Sequence, residues 1–250
     1  VVDFRQTNLS HRLLHGGLPP FFLAKESPEQ DFNEWMDEYW AKDIQELFRL
    51  ERRHSFQKFF ELIMAQSAGI FEANSFAAPC EASRTTIANY LKVLEATFTA
   101  HIIRPFSSKR QNEIISAPKV YGFDTGFVCY YRGWYELRNE DMGYLWEHFV
   151  LNEIFAHRQT RDIGYWRDKQ GHEIDFVINE RGRHIQAIEC KWRDNDFDPA
   201  NAKVFLRHYD KAQVYVVSHN VSHPYSRRYG DFTFKFINLA GLRDISTSGN

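Results

Sequence analysis

The sequence has 250 residues, of which 43% are hydrophobic and 16% aromatic, enough apolar material for one large domain or two smaller ones. No run approaches the ~18 apolar residues of a membrane span, and the amino terminus lacks a secretory signal, so we expect a cytoplasmic protein with no membrane partner. Three dispersed cysteines argue against a disulfide framework or a zinc site, and the net charge of −2 excludes no partner.

Residues 1–50 are predicted to form a helical lid or linker region. The chain begins at Val1 and not at Met, so we expect a segment to precede it. After the turn-rich stretch GGLPPFF, Ser27 and Pro28 form a good helix start. The following residues predict a long amphipathic helix, because apolar side chains recur at helical spacing. This apolar stripe consists of Phe32, Trp35, Met36, Tyr39, Trp40, Ile44 and Leu47.

Residues 51–140 are predicted to form a winged-helix-like domain. A helix that ends near Gly69 and a short helix around Phe76 precede the helix RTTIANYLKVLEAT, for which Ser83 is the expected cap. Two β-like runs, FTAHIIRPF and KVYGF, then flank the polar loop SSKRQNEIISAP. Two helices followed by two strands around a basic loop is the outline of a winged helix-turn-helix. The longer helix is expected to bury Ile87, Tyr90, Leu91 and Leu94.

The same segment concentrates positive charge. From Ser83 to Lys119, six basic residues stand against two acids, a balance of +4 in an almost neutral chain. Such a cluster suits contacts with nucleic-acid phosphates, although winged helices often only pack against neighbouring domains. The predicted nucleic-acid-binding residues are Arg84 and Lys92 on the helix and Lys109 and Arg110 in the loop.

Residues 141–245 are predicted to form a small α/β domain with a mixed sheet. The order is one helix, three short strands, a second helix, a strand and a final strand. The predicted elements are YLWEHFVLNEIFAHR, IGYWRD, HEIDFVI, HIQAIECKW, DPANAKVFLRHYD, AQVYVVSH and FTFKFINL.

Charged residues interrupt the apolar strands of this second domain. Glu189 and Lys191 lie on one face of their strand, because strand side chains alternate. The loop NERGR is short enough for a hairpin, which brings Asp175 of the preceding strand near Glu189. Two adjacent carboxylates require a proton or a cation between them, and oxygen ligands suit Mg²⁺. A nearby lysine could stabilise charge on a phosphoryl oxygen, so the pattern predicts a metal-dependent phosphodiester site.

Two features weigh on this interpretation. Glu-x-Lys alone is a weak signal, and on an exposed strand it could be a simple surface ion pair. In favour of a site, Glu147 lies on the preceding helix between the apolar residues Trp146 and Phe149, as expected near a helix–sheet interface. Asp124, which follows the strand KVYGF, is interpreted as a helix cap for TGFVCYY and not as a site residue.

The order Glu147, Asp175, Glu189, Lys191 resembles the PD-(D/E)XK nuclease superfamily, in particular members similar to Holliday-junction resolvases. The resemblance implies that Asp175, Glu189 and the backbone carbonyl of Cys190 hold Mg²⁺ or Mn²⁺. It further implies that Lys191 assists the nucleophilic water and that Glu147 acts through a second metal or a bound water. One departure is that Ile174, and not Pro, precedes the aspartate.

Nearly the whole chain also resembles the region that follows the P-loop core in a large group of prokaryotic AAA-type ATPases. This resemblance implies an ATPase domain upstream. No GxxxxGK[ST] motif occurs among the 13 glycines, so ATP is expected only through a domain absent from this chain. The matching motifs are GGLP at 16–19, YWAKDI at 39–44, TIANYLKVLE at 86–95, PKVYGFDTG at 118–126, WEHFVLNE, EIDFVI and IECKW.

Three functional hypotheses follow. The first is a nuclease-like module, coupled to an ATPase, that grips nucleic acid through its winged helix. The second is a catalytically silent DNA-binding or protein-interaction module that regulates the missing ATPase domain. The third makes residues 1–140 a lid that relays the state of the ATPase to a protein partner. Residues 141–250 lack a long basic stripe, so we expect only weak nucleic-acid binding by this chain alone. A homo-oligomer is possible, and the sequence does not decide the oligomeric state.

Overall fold

The computed structural model describes residues 6–24, 29–107, 117–158, 162–180 and 184–247. It divides the chain into two compact units, the first comprising residues 1–102 and 117–138 and the second 103–116 and 139–250. Helices and a large mixed sheet make the architecture α+β, as expected. Across the described ranges, no helix is long and apolar enough to cross a membrane. The division of the first unit at residue 50 stays a prediction.

Helices dominate the beginning of the first unit. A π-helix, Tyr39–Gln45, and one further α-helical turn, Glu46–Phe48, continue the third helix. The predicted start of that helix at Ser27 and Pro28 lies outside the described residues. The α-helices are α1 (Gln6–His15), α2 (Pro19–Leu23), α3 (Glu29–Glu38) and α4 (Arg53–Ala65).

The π-helix corrects one prediction about the apolar stripe. Of its predicted residues, Phe32, Met36, Tyr39, Trp40 and Ile44 are buried and Trp35 is half-buried. Leu47, in contrast, is 66% exposed. The wider i→i+5 turns of a π-helix rotate the following residues relative to an ideal α-helix. Spacing at 3.6 residues per turn therefore placed Leu47 on the wrong face.

The second half of the first unit contains two consecutive helices followed by strands, and its assignment as a winged helix stays a prediction. The cap at Ser83 is confirmed, since its Oγ accepts a hydrogen bond from the Thr86 amide at 3.1 Å. Ile87, Tyr90, Leu91 and Leu94 are buried as predicted. The elements are β1 (Gly69–Ile70), α5 (Ala73–Ala77), α6 (Arg84–Ala96), β2 (Ala100–Pro105), β3 (Lys119–Gly122) and α7 (Thr125–Arg132), with β3 between β1 and β2.

Asp124 joins two distant motifs of the first unit. As predicted it caps α7, where its Oδ1 accepts from the Gly126 amide at 2.8 Å. Its Oδ2 also accepts from the Gly17 amide at 2.7 Å, and Arg12 Nη1 lies 3.8 Å away. Gly16 has φ +77°, and a Cβ there would lie 1.8 Å from Asp124 Oδ1. The GGLP motif is therefore explained by the close approach of its backbone to this carboxylate.

The second unit is a mixed sheet with helices. β2 contributes its last residues, Arg104 and Pro105, which pair in parallel with β4. From there the strand order is β4-β5-β6-β7-β9-β8, in which β6/β7 and β7/β9 are parallel and the other pairs antiparallel. The elements are α8 (Asn139–His157), β4 (Ile163–Arg167), β5 (Glu173–Glu180), β6 (His184–Cys190), α9 (Ala200–His208), β7 (Gln213–Val217), β8 (Tyr225–Tyr229), β9 (Phe232–Ile237) and α10 (Leu239–Thr247).

Two elements of this unit were not predicted from the sequence. β8 is an edge strand whose side chains alternate between half-buried and exposed, so its sequence YSRRY lacks an apolar face. The carboxyl-terminal helix α10 contacts α8 and is held by Arg158, whose Nη2 donates to the carbonyl of Ile245 at 2.7 Å. Both elements depend on tertiary contacts, which short-range periodicity does not report.

Candidate functional site

The β5–β6 hairpin brings the predicted acids together. Phe176 pairs with Ile188 in the antiparallel register of these strands. The next position of that register places Asp175 opposite Glu189, so both side chains project from the same face. The hairpin predicted from the short loop is therefore present, and it positions the carboxylates at one end of the sheet.

Lys191 lies between the two carboxylates. Its Nζ is 2.8 Å from Glu189 Oε2 and 3.9 Å from Asp175 Oδ2. Asp175 Oδ2 also accepts a hydrogen bond of 2.7 Å from the amide of Cys190, which fixes the aspartate against β6. The Glu189 side chain is 4% exposed and that of Lys191 is 27% exposed, so the glutamate is withdrawn from solvent and the lysine is largely so. A simple surface ion pair is thus excluded.

Burial and charge act strongly on this cluster. Burial, followed by the charge of Asp175, raises the pKa of Glu189 to about 8. Burial disfavours the charged form of Lys191, but the carboxylates of Asp175 and Glu189 outweigh it and raise the pKa of the lysine. The cluster therefore carries more negative charge than one ammonium balances, and it retains a proton or attracts a cation.

Glu147 is close enough to contribute to this field. Its charge further raises the pKa of Glu189 and also that of the buried Cys190 thiol, although burial is the larger cause for both. The preceding residue, Trp146, is fully buried and donates from Nε1 to the carbonyl of Val217 at 2.9 Å. This bond anchors α8 to β7, the strand that pairs with the Glu189-bearing strand β6.

The carboxylate oxygens of this cluster are of the ligand type that a hard divalent cation prefers. Over the part of the chain that the structure describes, no group of three or more His, Cys, Asp or Glu side chains is arranged to hold a metal ion. Mg²⁺ needs fewer, because it keeps several waters and binds one or two carboxylates. Among the same described residues, Glu189 Oε1 is a buried oxygen without a hydrogen-bond partner. Such an atom is costly unless a ligand satisfies it.

The replacement Glu189→Gln tests this electrostatic picture. Because the pKa of the glutamate is raised in the folded state, its stabilising contribution is present below pH ~4.5 and lost as the pH rises towards ~8. Lys191 stays protonated throughout this window, since its pKa is raised as well. In metal-free buffer, the unfolding free energy of the wild type should fall relative to the variant by at most about 1.4 kcal/mol per pH unit. Urea titrations at pH 5, 6, 7 and 8 measure this difference; parallel curves would contradict it.

The predicted nucleic-acid interface is described in part. Arg84 and Lys92 are exposed on α6, where phosphate could reach them. Lys109 and Arg110 lie outside the described residues. Lys119, which contributed to the local positive charge, is 7% exposed in β3 and therefore does not face solvent. The surface charge of this segment is consequently lower than its composition indicates.

Sequence reasoning did not connect Ser218, or the stacked pair of Trp192 and His219, with the acids. It considered His219 only as a poorly supported zinc ligand with His223. Trp192 directly follows Lys191, and its ring stacks on His219 with 3.6 Å between ring centroids. Ser218 ends the apolar run of β7 and is fully buried. The available signal was a polar residue that directly follows each buried strand, Lys191 after β6 and Ser218 after β7.

Comparison with known proteins finds two mycobacterial relatives, both described as uncharacterized proteins. The chain is 26% identical over 191 residues to an uncharacterized protein of Mycobacterium tuberculosis and equally to one of Mycobacterium bovis. The matches cover 73% of this chain but 43% of each relative. The chain thus spans less than half the length of the curated relatives that it matches.

A solved assembly of Thermococcus gammatolerans McrB AAA+ hexamers with bound McrC shares 9% sequence identity with the chain. The match covers 77% of this chain and 51% of that chain, and its TM-score of 0.30 does not establish a shared fold.

Both units match families of domains whose function is unknown. Residues 142–240 match DUF4143, a domain commonly found with AAA ATPases, which links the chain to ATPase-associated proteins. Residues 6–138 match the domain of unknown function DUF8612. Because this second match spans more than half of the chain, the protein belongs to the DUF8612 family.

Proposed function

We propose that the second unit is a Mg²⁺-dependent phosphodiesterase of the PD-(D/E)XK type and that the first unit contacts nucleic acid through a winged helix. Both units would work within a larger protein that has an AAA-type ATPase domain. Two findings support this context: the relatives are more than twice the length of the matched region, and DUF4143 is commonly found with AAA ATPases.

The observation that carries the proposal is the buried acidic cluster. Glu189 lies opposite Asp175, contacts Lys191 at 2.8 Å, and is almost completely withdrawn from solvent. A structural ion pair would balance one acid with one base, whereas here Asp175 and Glu147 add negative charge to the same buried place. Clusters with such perturbed pKa values mark functional sites more often than surface pairs do.

Each residue of the cluster would have a distinct role. Asp175, Glu189 and the backbone carbonyl of Cys190 would hold Mg²⁺ or Mn²⁺. The metal, when bound, supplies Lewis acidity towards a phosphoryl oxygen and lowers the pKa of a bound water. Lys191, which keeps its proton at neutral pH, would donate a hydrogen bond to the phosphate and stabilise its developing charge. Glu147 would orient a bound water.

Cleavage of labelled duplex, single-stranded and branched DNA tests the proposal. With Mg²⁺ or Mn²⁺ the wild type should cut at least one substrate, and a chelator should abolish the cut. Asp175→Asn preserves size but removes the charge, so it should reduce cleavage to the level seen with chelator. The matched control is Asp231→Asn in the exposed turn between β8 and β9, which should leave cleavage unchanged.

The runner-up is a catalytically silent binding module, which the exposed Arg84 and Lys92 on α6 favour. In that case wild type and Asp175→Asn would be equally inert, while DNA binding would weaken steeply with salt. Absence of both cleavage and salt-dependent binding, in the chain and in the full-length protein with ATP, would remove nucleic acid from the proposal.

A further inference from the structure

Ser218 lies beside Lys191 on the face of the sheet that carries Glu189. In the parallel register of β6 and β7, Glu189 pairs with Val216 and Cys190 with Val217. The next position sets Lys191 beside Ser218. The amide of Lys191 donates to the carbonyl of Val217 at 3.1 Å, and the amide of Ser218 donates to the carbonyl of Ile237 at 3.0 Å. The strand geometry therefore continues to this point.

Among the described residues, the hydroxyl oxygen of Ser218 is buried without a hydrogen-bond partner, as Glu189 Oε1 is. Ser218 is 0% exposed, and within the described ranges its Oγ has no hydrogen-bond partner. Glu189 Oε1 has the same property on the neighbouring strand, among those residues. Buried polar atoms are usually hydrogen-bonded, so two orphaned oxygens on one sheet face, on either side of one lysine, call for a common ligand.

We propose that Ser218 is a positioning residue of this site and that its hydroxyl, together with Glu189 Oε1, holds a water molecule beside Lys191. Adjacent strands lie about 4.8 Å apart, and the two residues are diagonal neighbours about 7–8 Å apart, a spacing at which one water between the side chains can contact both. Glu189 accepts from the water, Ser218 donates to it or accepts from it, and Lys191 Nζ supplies a further donor. Buried waters typically make about three such bonds.

The role of this water rests on the proposed function, whereas its presence does not. In a site that holds Mg²⁺, the water would be a ligand of the ion. Ser218 would orient this water by a hydrogen bond without contacting the ion. Outer-shell hydrogen bonds of this kind typically change metal affinity by about 10- to 100-fold. Without metal, the same water satisfies both buried oxygens and links β6 to β7.

The test replaces Ser218 by Ala and uses Ser218→Thr, which keeps the hydroxyl, for rescue. Ser222→Ala, an identical change at an exposed serine in the following loop, is the matched control. Two quantities are measured on the whole chain: the thermal midpoint in the presence of chelator, and the Kd for Mn²⁺ from electron paramagnetic resonance. Neither requires catalysis.

If Ser218 holds a water, Ser218→Ala should lower the midpoint by about 3 °C and raise the Mn²⁺ Kd about tenfold. A fall in stability or in affinity that Ser218→Thr restores and Ser222→Ala does not reproduce supports the proposal. A midpoint that stays or rises together with an unchanged Kd overturns it, because removal of a truly orphaned hydroxyl stabilises a protein. A wild type that binds no Mn²⁺ counts against the proposed phosphodiesterase, and the midpoint alone then decides on Ser218.

Discussion

Replacing Lys191 by Met is expected to lower the free energy of unfolding without metal by about 1.4 kcal/mol more at pH 9 than at pH 5. Methionine preserves the length and much of the packing of the lysine stem but removes the ammonium that lies 2.8 Å from Glu189. At pH 9 the wild-type glutamate is largely ionised beside this ammonium, whereas in the variant it must keep a proton or lie buried without a cation. At pH 5 it can take up a proton, because burial and Asp175 already raise its pKa.

Urea denaturation at both pH values, with and without Mg²⁺, measures this effect. A divalent ion should restore part of the stability at pH 9, since it neutralises the same carboxylates. Lys211→Met removes an exposed lysine and serves as the control, with an expected change within about 0.5 kcal/mol. An equal loss for Lys191→Met at pH 5 and pH 9 would show that packing, and not charge, is the function of this lysine.

Replacing Asp124 by Ala is expected to lower the free energy of unfolding of the first unit by about 3 kcal/mol. The change removes the α7 cap and leaves the amides of Gly17 and Gly126 without their acceptor. It also removes the carboxylate that lies 3.8 Å from Arg12. Three interactions are lost together, and two of them join residues that are more than 100 positions apart.

Asp124→Ser separates the local from the long-range part of this effect. Serine can still cap α7, but its shorter side chain does not reach Gly17, so its loss should be smaller by about 1 kcal/mol. Hydrogen exchange resolved by residue assigns the loss to the first unit, with the amides of β5 and β6 as the internal reference. Equal exchange in the wild type and Asp124→Ala around Gly17 would mean that the carboxylate does not hold the GGLP segment.

We expect the acidic cluster to lower the free energy of unfolding of the second unit, a cost that is typical of functional sites. A well-packed apolar residue in place of Glu189 would remove the cost of a buried charge. The protein instead retains an excess of negative charge around one lysine, an arrangement that only a proton or a bound cation balances. Buried charges that are not fully balanced cost stability, and proteins commonly retain such a cost for function. This is the strongest physical argument for a functional site where β5 and β6 carry these acids.

Much of the candidate site was determined by the sequence itself. Alternation along a strand placed Glu189 and Lys191 on one face, and the short hairpin placed Asp175 opposite, because both depend on neighbours in the chain. The caps at Ser83 and Asp124 were predictable for the same reason. Roles in metal or nucleic-acid binding stay predictions, including those of Lys109 and Arg110.

Tertiary structure alone decided the environment of these residues. The depth at which Glu189 is buried depends on packing across the whole unit, and Ser218 joins the site only through the parallel register of β6 and β7, strands that a helix separates in the sequence. Likewise, the π-helix directs Leu47 towards solvent, and Asp124 accepts a hydrogen bond from the amide of Gly17, 107 residues earlier in the chain. Periodicity specifies which side a residue faces, whereas register and packing between distant segments specify what it meets there.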